Sequence, residues 1–335
     1  MRYLVIRIGE AIGDIFVITP LIRHLSKLGH EIYVLTGKIG EDILRYNPLI
    51  SKIIIHQRDS VPLNKLGEYF EGMKSYLKCD KMVDLCESVE CRVILHPSQP
   101  QYNYPLQERK KYAERNVYEL TMEKAGFNDF NVIDFIPEIY FDDDEISKFM
   151  DFRANYIGKK LILWCLSGSG IHKFYPYYSD VIKEILEWNE NVHFITVGDE
   201  ACQILELLAN HPRILNKSGE WSLRETFLAC KYVSLVIAPE TGILHAAGCF
   251  KTPKIALFSH TNHEVLTKYF YKVYPIHPQV YCHPCFHFIM NSKVQCEYHH
   301  ASSSVHCMHT LNPKVIISKI EEILYFKKQI FVYAS

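Results

Sequence analysis

Leu235-Val-Ile-Ala-Pro-Glu-Thr-Gly-Ile-Leu-His-Ala-Ala-Gly-Cys-Phe-Lys-Thr-Pro-Lys-Ile-Ala-Leu-Phe258 reads as a buried strand, a tight turn, a short small-residue helix and a second buried strand. Apolar runs on both sides of such a turn are the mark of parallel strands covered on both faces. The turn groups Thr241, the Gly242 amide and His245 at a helix N-terminus. Exposed N–H groups and a partial positive charge there suit an anion such as a phosphate. In a parallel sheet the turn lies at the C-terminal strand edge, where α/β proteins hold nucleotides.

The same alternation extends in both directions. Residues 3–8 form a strand that ends at Gly9-Glu-Ala-Ile-Gly13-Asp14, and residues 15–28 carry helical apolar spacing with Pro20 inside. Strands follow at 31–35, 51–55 and 81–85. Residues 97–112, rich in Pro, Gln, Tyr and Asn, are expected to be a long loop, and 117–125 a helix. An acidic, Pro137-containing stretch at 131–144 reads as a linker, followed by a charged helix at 144–156.

The pattern then restarts. It gives a strand at 160–165, a flexible Ser167-Gly-Ser-Gly170 turn and a helix at 177–188, then a strand at 191–197, helices at 199–209 and 222–230 and a strand at 233–238. Pro313 opens a last helix at 314–326. The expected fold is therefore α/β, with two Rossmann-like, doubly wound parallel-sheet domains, 1–145 and 146–335, facing a cleft.

Composition narrows the function. The chain has 335 residues, 48% apolar and 22% charged, with a net charge of −1. That balance offers no electrostatic footprint for nucleic acid and no basic surface for more than peripheral membrane contact. The first apolar run is too short for a signal peptide, and no run reaches transmembrane length. Eleven cysteines without a secretory signal point to reduced thiols and a cytoplasmic location.

The first glycine turn is not G-x-G-x-x-G, and Thr36-Gly37 stands where a dinucleotide fold keeps an acidic ribose ligand, so a dinucleotide enzyme is disfavoured. Gly9 and Gly13 allow a sharp acceptor-side turn. Asp14, at or near the helix N-cap, has two readings. One is a plain cap; the other is a general base taking a proton from an attacking hydroxyl. Glu10 reads as a second acid or a solvent-facing side chain.

The two turns together resemble glycosyltransferase family 9, the ADP-heptose heptosyltransferases of lipopolysaccharide synthesis. Arg7-Ile-Gly9-Glu-Ala-Ile-Gly13-Asp14 is similar to the family's R-x-G-x-x-G-D. Ala238-Pro-Glu240-Thr241-Gly242-Ile-Leu-His245-Ala-Ala, continuing to Pro253 and Leu257-Phe258-Ser259, is similar to S-N-D-T-G-x-x-H-x-A-A, continuing to P-x-x-x-L-F-G. Lys173-Phe-Tyr-Pro176 resembles K-x-W-P, Ser222-Leu-Arg-Glu225 a helix starting S-L-x-E, and Cys307-Met-His-Thr-Leu-Asn-Pro313 a C-M-x-x-I-x-P end.

The resemblance implies a GT-B-like fold and an inverting sugar transfer that requires no cofactor. The donor would be ADP-heptose or a related nucleotide sugar, and the acceptor a glycan or lipid-linked glycan. Asp14 would be the base. Lys173, Thr241 and the N–H groups near Gly242 would stabilise charge growing on the diphosphate, with Ser167, Ser169, Glu240 and His245 on the same donor side. Asp199 or Glu200 would recognise the nucleoside. The family's Asp before Thr-Gly is Glu240 here, and its Gly after L-F is Ser259. Those departures leave open an altered donor or a non-catalytic binding relative.

Cys282-x2-Cys285-x10-Cys296-x10-Cys307 lies in a stretch with His283, His287, His299, His300, His306 and His309. Four soft ligands with one C-x2-C pair suit a structural zinc or iron site, or a set of buried thiols. Protein-modifying autotransporter heptosyltransferases carry an iron-binding cysteine finger in this region. The alternative function is therefore sugar transfer to a protein.

Overall fold

The structure, a computed structural model, describes residues 1–86, 95, 99–287, 296, 299–300 and 304–332, with 325–332 as backbone alone. β1 (Arg2–Arg7), β2 (Glu31–Thr36), β3 (Lys52–Ile55) and β4 (Lys81–Asp84) form one parallel sheet in the order β3-β2-β1-β4. α1 (Ile12–Lys27), α2 (Lys38–Leu44) and α3 (Leu66–Tyr76) connect them. α4 (Leu106–Ala113), α5 (Val117–Lys124) and α6 (Asp143–Ala154) lead to the second sheet.

That sheet contains β5 (Lys160–Cys165), β6 (Val192–Val197), β7 (Ile214–Asn216), β8 (Leu235–Pro239), β9 (Lys254–Leu257) and β10 (Val273–Ile276). Its order is β10-β9-β8-β5-β6-β7, again all parallel. α7 (Tyr178–Trp188), α8 (Cys202–Glu206), α9 (Leu223–Tyr232), α10 (Gly242–Gly248) and α11 (His263–Leu266) lie between its strands, and α12 (His306–His309) and α13 (Pro313–Val332) follow it. In each sheet the chain winds outward one way and then reverses between the first and fourth strands, the position at which open α/β sheets bind ligands. The loops after β1, β5 and β8 all begin at these reversals.

Local sequence explains the helix starts. Asp142 with Glu145 and Ser222 with Glu225 each close a reciprocal capping box at α6 and α9, and Asn116 caps α5. Residues 106–113 are a helix and not the expected loop. Their Gln, Glu, Arg and Lys are good helix formers, but only Ala113 is buried, so no apolar stripe advertises the helix. The helix expected at 199–209 breaks after Glu206 into a 3-10 turn. β7 and β10, three and four residues long, have too little alternation to be recognised.

One apolar cluster runs through both halves. It joins Val5 and Val34 of the first sheet to Leu163 and Val236 of the second through α1, α5, α9 and α10, with Phe16 and Phe227 in edge contact at 5.3 Å between ring centres. α1 and α10 meet at their N-terminal ends. A Cβ on Gly13 would lie 3.0 Å from His245 Cδ2, and one on Gly242 would collide with Ile12 Cβ. Gly242→Ala should therefore destabilise the protein by about 1–3 kcal/mol through overpacking, despite alanine's better helix propensity. Urea unfolding is the measurement, and a more stable variant would contradict the tight contact.

Candidate active site

The site begins where β1 ends. Arg7 is buried, and its guanidinium spans the reversal of the first sheet. It donates 2.8 Å to the Leu85 carbonyl after β4 and pairs with Asp14 Oδ2. The N-cap of α1 is Ala11, so Asp14 is the third residue of the helix. The plain-cap reading is thereby corrected: Asp14 sits a turn deeper, where its carboxylate meets Arg7. Glu10 points the other way, towards α2, where Oε2 accepts from Ile39 N at 3.4 Å.

Across the α1–α10 contact stand the donor-side residues of the sequence reading. Thr241 occupies the N-cap of the seven-residue α10, but its hydroxyl does not cap; it lies 3.8 Å from Cys165 Sγ. The Ser167–Gly170 turn after β5 folds over it, bringing Gly168 against both Thr241 and Lys173. Lys173 is buried and donates to Ser169 Oγ at 3.2 Å. Burial holds its pKa below the ordinary lysine value, while Glu240, Asp14 and Cys165 pull it back up. Asp14 and Lys173, from different sheets, thus act on each other electrostatically.

His245 is buried under Gly13 and pairs with Tyr118 OH at 2.9 Å. Burial, reinforced by Lys173, pushes its pKa down to about 4, so the ring is neutral at physiological pH. Tyr118, on α5, carried no signal in the sequence beyond a helical aromatic. Glu200 is exposed beyond β6, two strands from Thr241 on the same sheet edge, beside Gly219. Asp199 Oδ1 instead accepts from Cys202 N at 3.2 Å at the start of α8.

Glu240 is turned away from this group. Oε2 accepts from Ser259 N at 3.0 Å, from the Ser259 hydroxyl and from His260 Nδ1 at 3.0 Å. Oε1 accepts from Thr261 N at 2.7 Å and Thr261 Oγ1 at 2.6 Å. Burial alone would raise its pKa, but His260 and the hydrogen bonds of Ser259 and Thr261 outweigh it and hold the carboxyl well below the usual range. The two departures from the family pattern, Glu240 and Ser259, are therefore each other's partners.

Behind this clamp is a cavity of about 30 Å³, lined by Cys282, Cys285, Cys296 and Cys307 with His172, Ser259, His260 and His306. None of the four is in a disulfide. Their soft donor chemistry suits zinc or iron, but among the described residues no three His, Cys, Asp or Glu side chains stand where they could hold a metal ion. Among those of the six histidines singled out in the sequence whose side chains are described, only His306 lines the cavity. His283 bonds the Ser259 carbonyl at 2.9 Å, His287 stacks on Tyr102 and His309 pairs with Tyr177; the side chains of His299 and His300 lie outside the described residues.

The model of glycosyltransferase family 9 (heptosyltransferase) matches residues 95–294. The chain belongs to this family. It is a glycosyltransferase, and its fold is shared with solved members. A family 9 glycosyl transferase from Veillonella parvula superposes with a TM-score of 0.71 at 13% identity, covering 96% of this chain and 97% of that one. ADP-heptose lps heptosyltransferase II of E. coli gives 0.68 at 13% identity, covering 98% and 100%. The iron-containing dodecameric glycosyltransferase TibC of enterotoxigenic E. coli gives 0.61 at 10% identity, covering 100% and 80%. No curated protein matches the transferase in sequence.

The charge on Glu240 has a measurable consequence. A carboxyl held below its unfolded-state pKa of about 4.3 contributes stability above that value and loses it as pH falls through the folded-state pKa. Glu240→Gln, which sets an amide against buried donors, should cost about 3 kcal/mol at pH 7. The gap from wild type should shrink as pH drops below about 4. Urea midpoints across pH test this; a gap constant down to pH 3 would show that charge does not hold the clamp.

Proposed function

We propose that this transferase moves heptose from ADP-heptose, or a closely related nucleotide sugar, to an acceptor hydroxyl with inversion at the anomeric carbon. The observations that carry this reading are the α1–α10 contact, where Gly13 packs against His245 and Gly242 against Ile12, and the Coulombic pull of Asp14 on Lys173. Asp14, oriented through Oδ2 by Arg7, accepts the acceptor's proton as the hydroxyl oxygen bonds to the anomeric carbon. The bond to the diphosphate breaks on the opposite face, and its electron pair leaves with the phosphate oxygen. The Lys173 cation, the Thr241 hydroxyl and the Gly242 N–H receive that charge, so the reaction requires no divalent ion.

Ser167 and Ser169 shape the turn over the diphosphate, and Glu200 is placed for the ribose edge of the nucleoside. Glu240 serves the donor indirectly, by fixing the loop that follows β9. His245 anchors the two signature turns to Tyr118. We place the chain in the cytoplasm, where its ten cysteines among the described residues, none of them in a disulfide, stay reduced. Among the described residues no helix is long and apolar enough to cross a membrane.

A structural zinc or iron held by Cys282, Cys285, Cys296 and Cys307 completes the proposal; it would brace the chain after β10 and take no part in the chemistry. The same cysteine cavity favours the second reading, transfer to a protein acceptor, because a likeness to the iron-containing TibC accompanies it. Otherwise the acceptor is a glycan or lipid-linked glycan.

Asp14→Asn should lower turnover by about 10²–10⁴-fold while leaving ADP affinity within a few fold, since it removes the base and not the phosphate contacts. ADP release and calorimetric ADP binding separate the two effects, and unchanged turnover would refute the assignment. Lys173→Ala should instead weaken donor binding as well as turnover, by about 10²–10³-fold in rate. Metal analysis of purified protein should give about one zinc or iron per chain; fully folded, reduced protein with none would remove the structural metal.

A further inference from the structure

The loop after β9 faces two ways. Ser259 N and Thr261 N turn inward to Glu240, whose neighbour Thr241 is the N-cap of α10. The residues that follow turn outward. Asn262 Nδ2 donates to Glu114 Oε1 at 2.7 Å, and the Glu264 carbonyl accepts from Asn116 Nδ2 at 2.8 Å. The chain later returns to the same loop: Phe286 N donates to the His260 carbonyl at 2.8 Å, and His283 Nδ1 to the Ser259 carbonyl at 2.9 Å. This returning stretch reaches outward as well. The His283 carbonyl accepts from Lys110 Nζ at 3.2 Å, and the His287 ring stacks on Tyr102 at 4.1 Å between ring centres.

Tyr102, Lys110, Glu114 and Asn116 all lie between β4 and α5, in the half that carries Asp14. They are nevertheless bonded to the other half. A second route runs through α10, where His245 pairs with Tyr118 OH on α5 at 2.9 Å. Two chains of direct contact thus leave the Glu240-Thr241-Gly242 turn and end on residues 102–118. α4 buries only Ala113, so this stretch has little apolar anchorage of its own around that helix. Segments of that kind open at low free-energy cost, and polar ties then decide whether they are seated or released.

We propose that nucleotide bound at the Lys173–Thr241 group seats residues 102–118 against the donor half, with the 259–264 loop as the coupling element. A ligand moves an equilibrium only by favouring one state over the other. The loop touches both the nucleotide turn and the seated stretch, so each favours the arrangement that suits the other. The stretch leads on from β4, past the Leu85 carbonyl that holds Arg7 beside Asp14, so its seating shapes the side from which an acceptor approaches. This rests on the donor reading above, and the test separates the two.

Hydrogen exchange is followed by mass spectrometry on the full chain with and without ADP, after calorimetry has established ADP binding. Bound ADP should slow exchange over 102–118 by about 5-fold or more. Protection confined to 167–173 and 241–248 overturns the coupling and leaves the donor reading standing; a wild type that binds no ADP overturns both. Coupling is reciprocal. Lys110→Ala combined with Glu114→Ala, two residues outside the donor group, should quicken exchange over 102–116 and weaken ADP by about 2–5-fold. An unloosened stretch, or a looser one with unchanged ADP affinity, overturns the coupling. If the double variant fails to fold, the wild-type comparison decides alone.

Discussion

The structure depends on the contact between the N-terminal ends of α1 and α10. A Cβ on Gly242 would collide with Ile12, and one on Gly13 would press on His245 at 3.0 Å. This contact brings the loops at the two sheet reversals to one place, and the apolar cluster from Val5 to Val236 runs through it. Arg7 and Asp14 come from one side, Lys173, Thr241 and the Ser167–Gly170 turn from the other. A wider separation of the helices would break the core and the site together.

The second constraint is electrostatic. Glu240 and Lys173 are both buried charges, and each is acceptable only because of what surrounds it. Glu240 collects donors from Ser259, His260 and Thr261, so its charge is satisfied within the loop after β9. Lys173 has Ser169 as its bonded partner and feels Glu240 and Asp14 as opposite charges. The longer side chain of Glu240, relative to the Asp of the family pattern, is matched by a hydroxyl at Ser259 where the pattern has Gly. The two departures act together, and neither is explained alone.

Much of the fold was legible because parallel strands buried on both faces leave unbroken apolar runs, and the turns between them leave Gly, Ser and Asp. The strands at 160–165 and 191–197 and the capped helix α9 follow from such signals. α4 was missed because its residues favour a helix without burying a stripe, and β7 and β10 because a short edge strand carries almost no pattern. The spacing puts Asp14 at or near the cap because it locates a helix end only to within a residue or two; the cap is Ala11, which makes no side-chain bond.

The sequence by itself determined the two alternating α/β halves, the membership suggested by the Gly13-Asp14 and Thr241-Gly242 turns, and the clustering of four cysteines between 282 and 307. Those features are local, or depend on residue type and order. Tertiary structure alone decided that Asp14 pairs with Arg7, that His245 pairs with Tyr118, and that Glu240 turns to Ser259 and His260 instead of facing Lys173's neighbours. These partners are brought together by the packing of separate elements, and a contact of that kind leaves no periodicity for a single sequence to reveal.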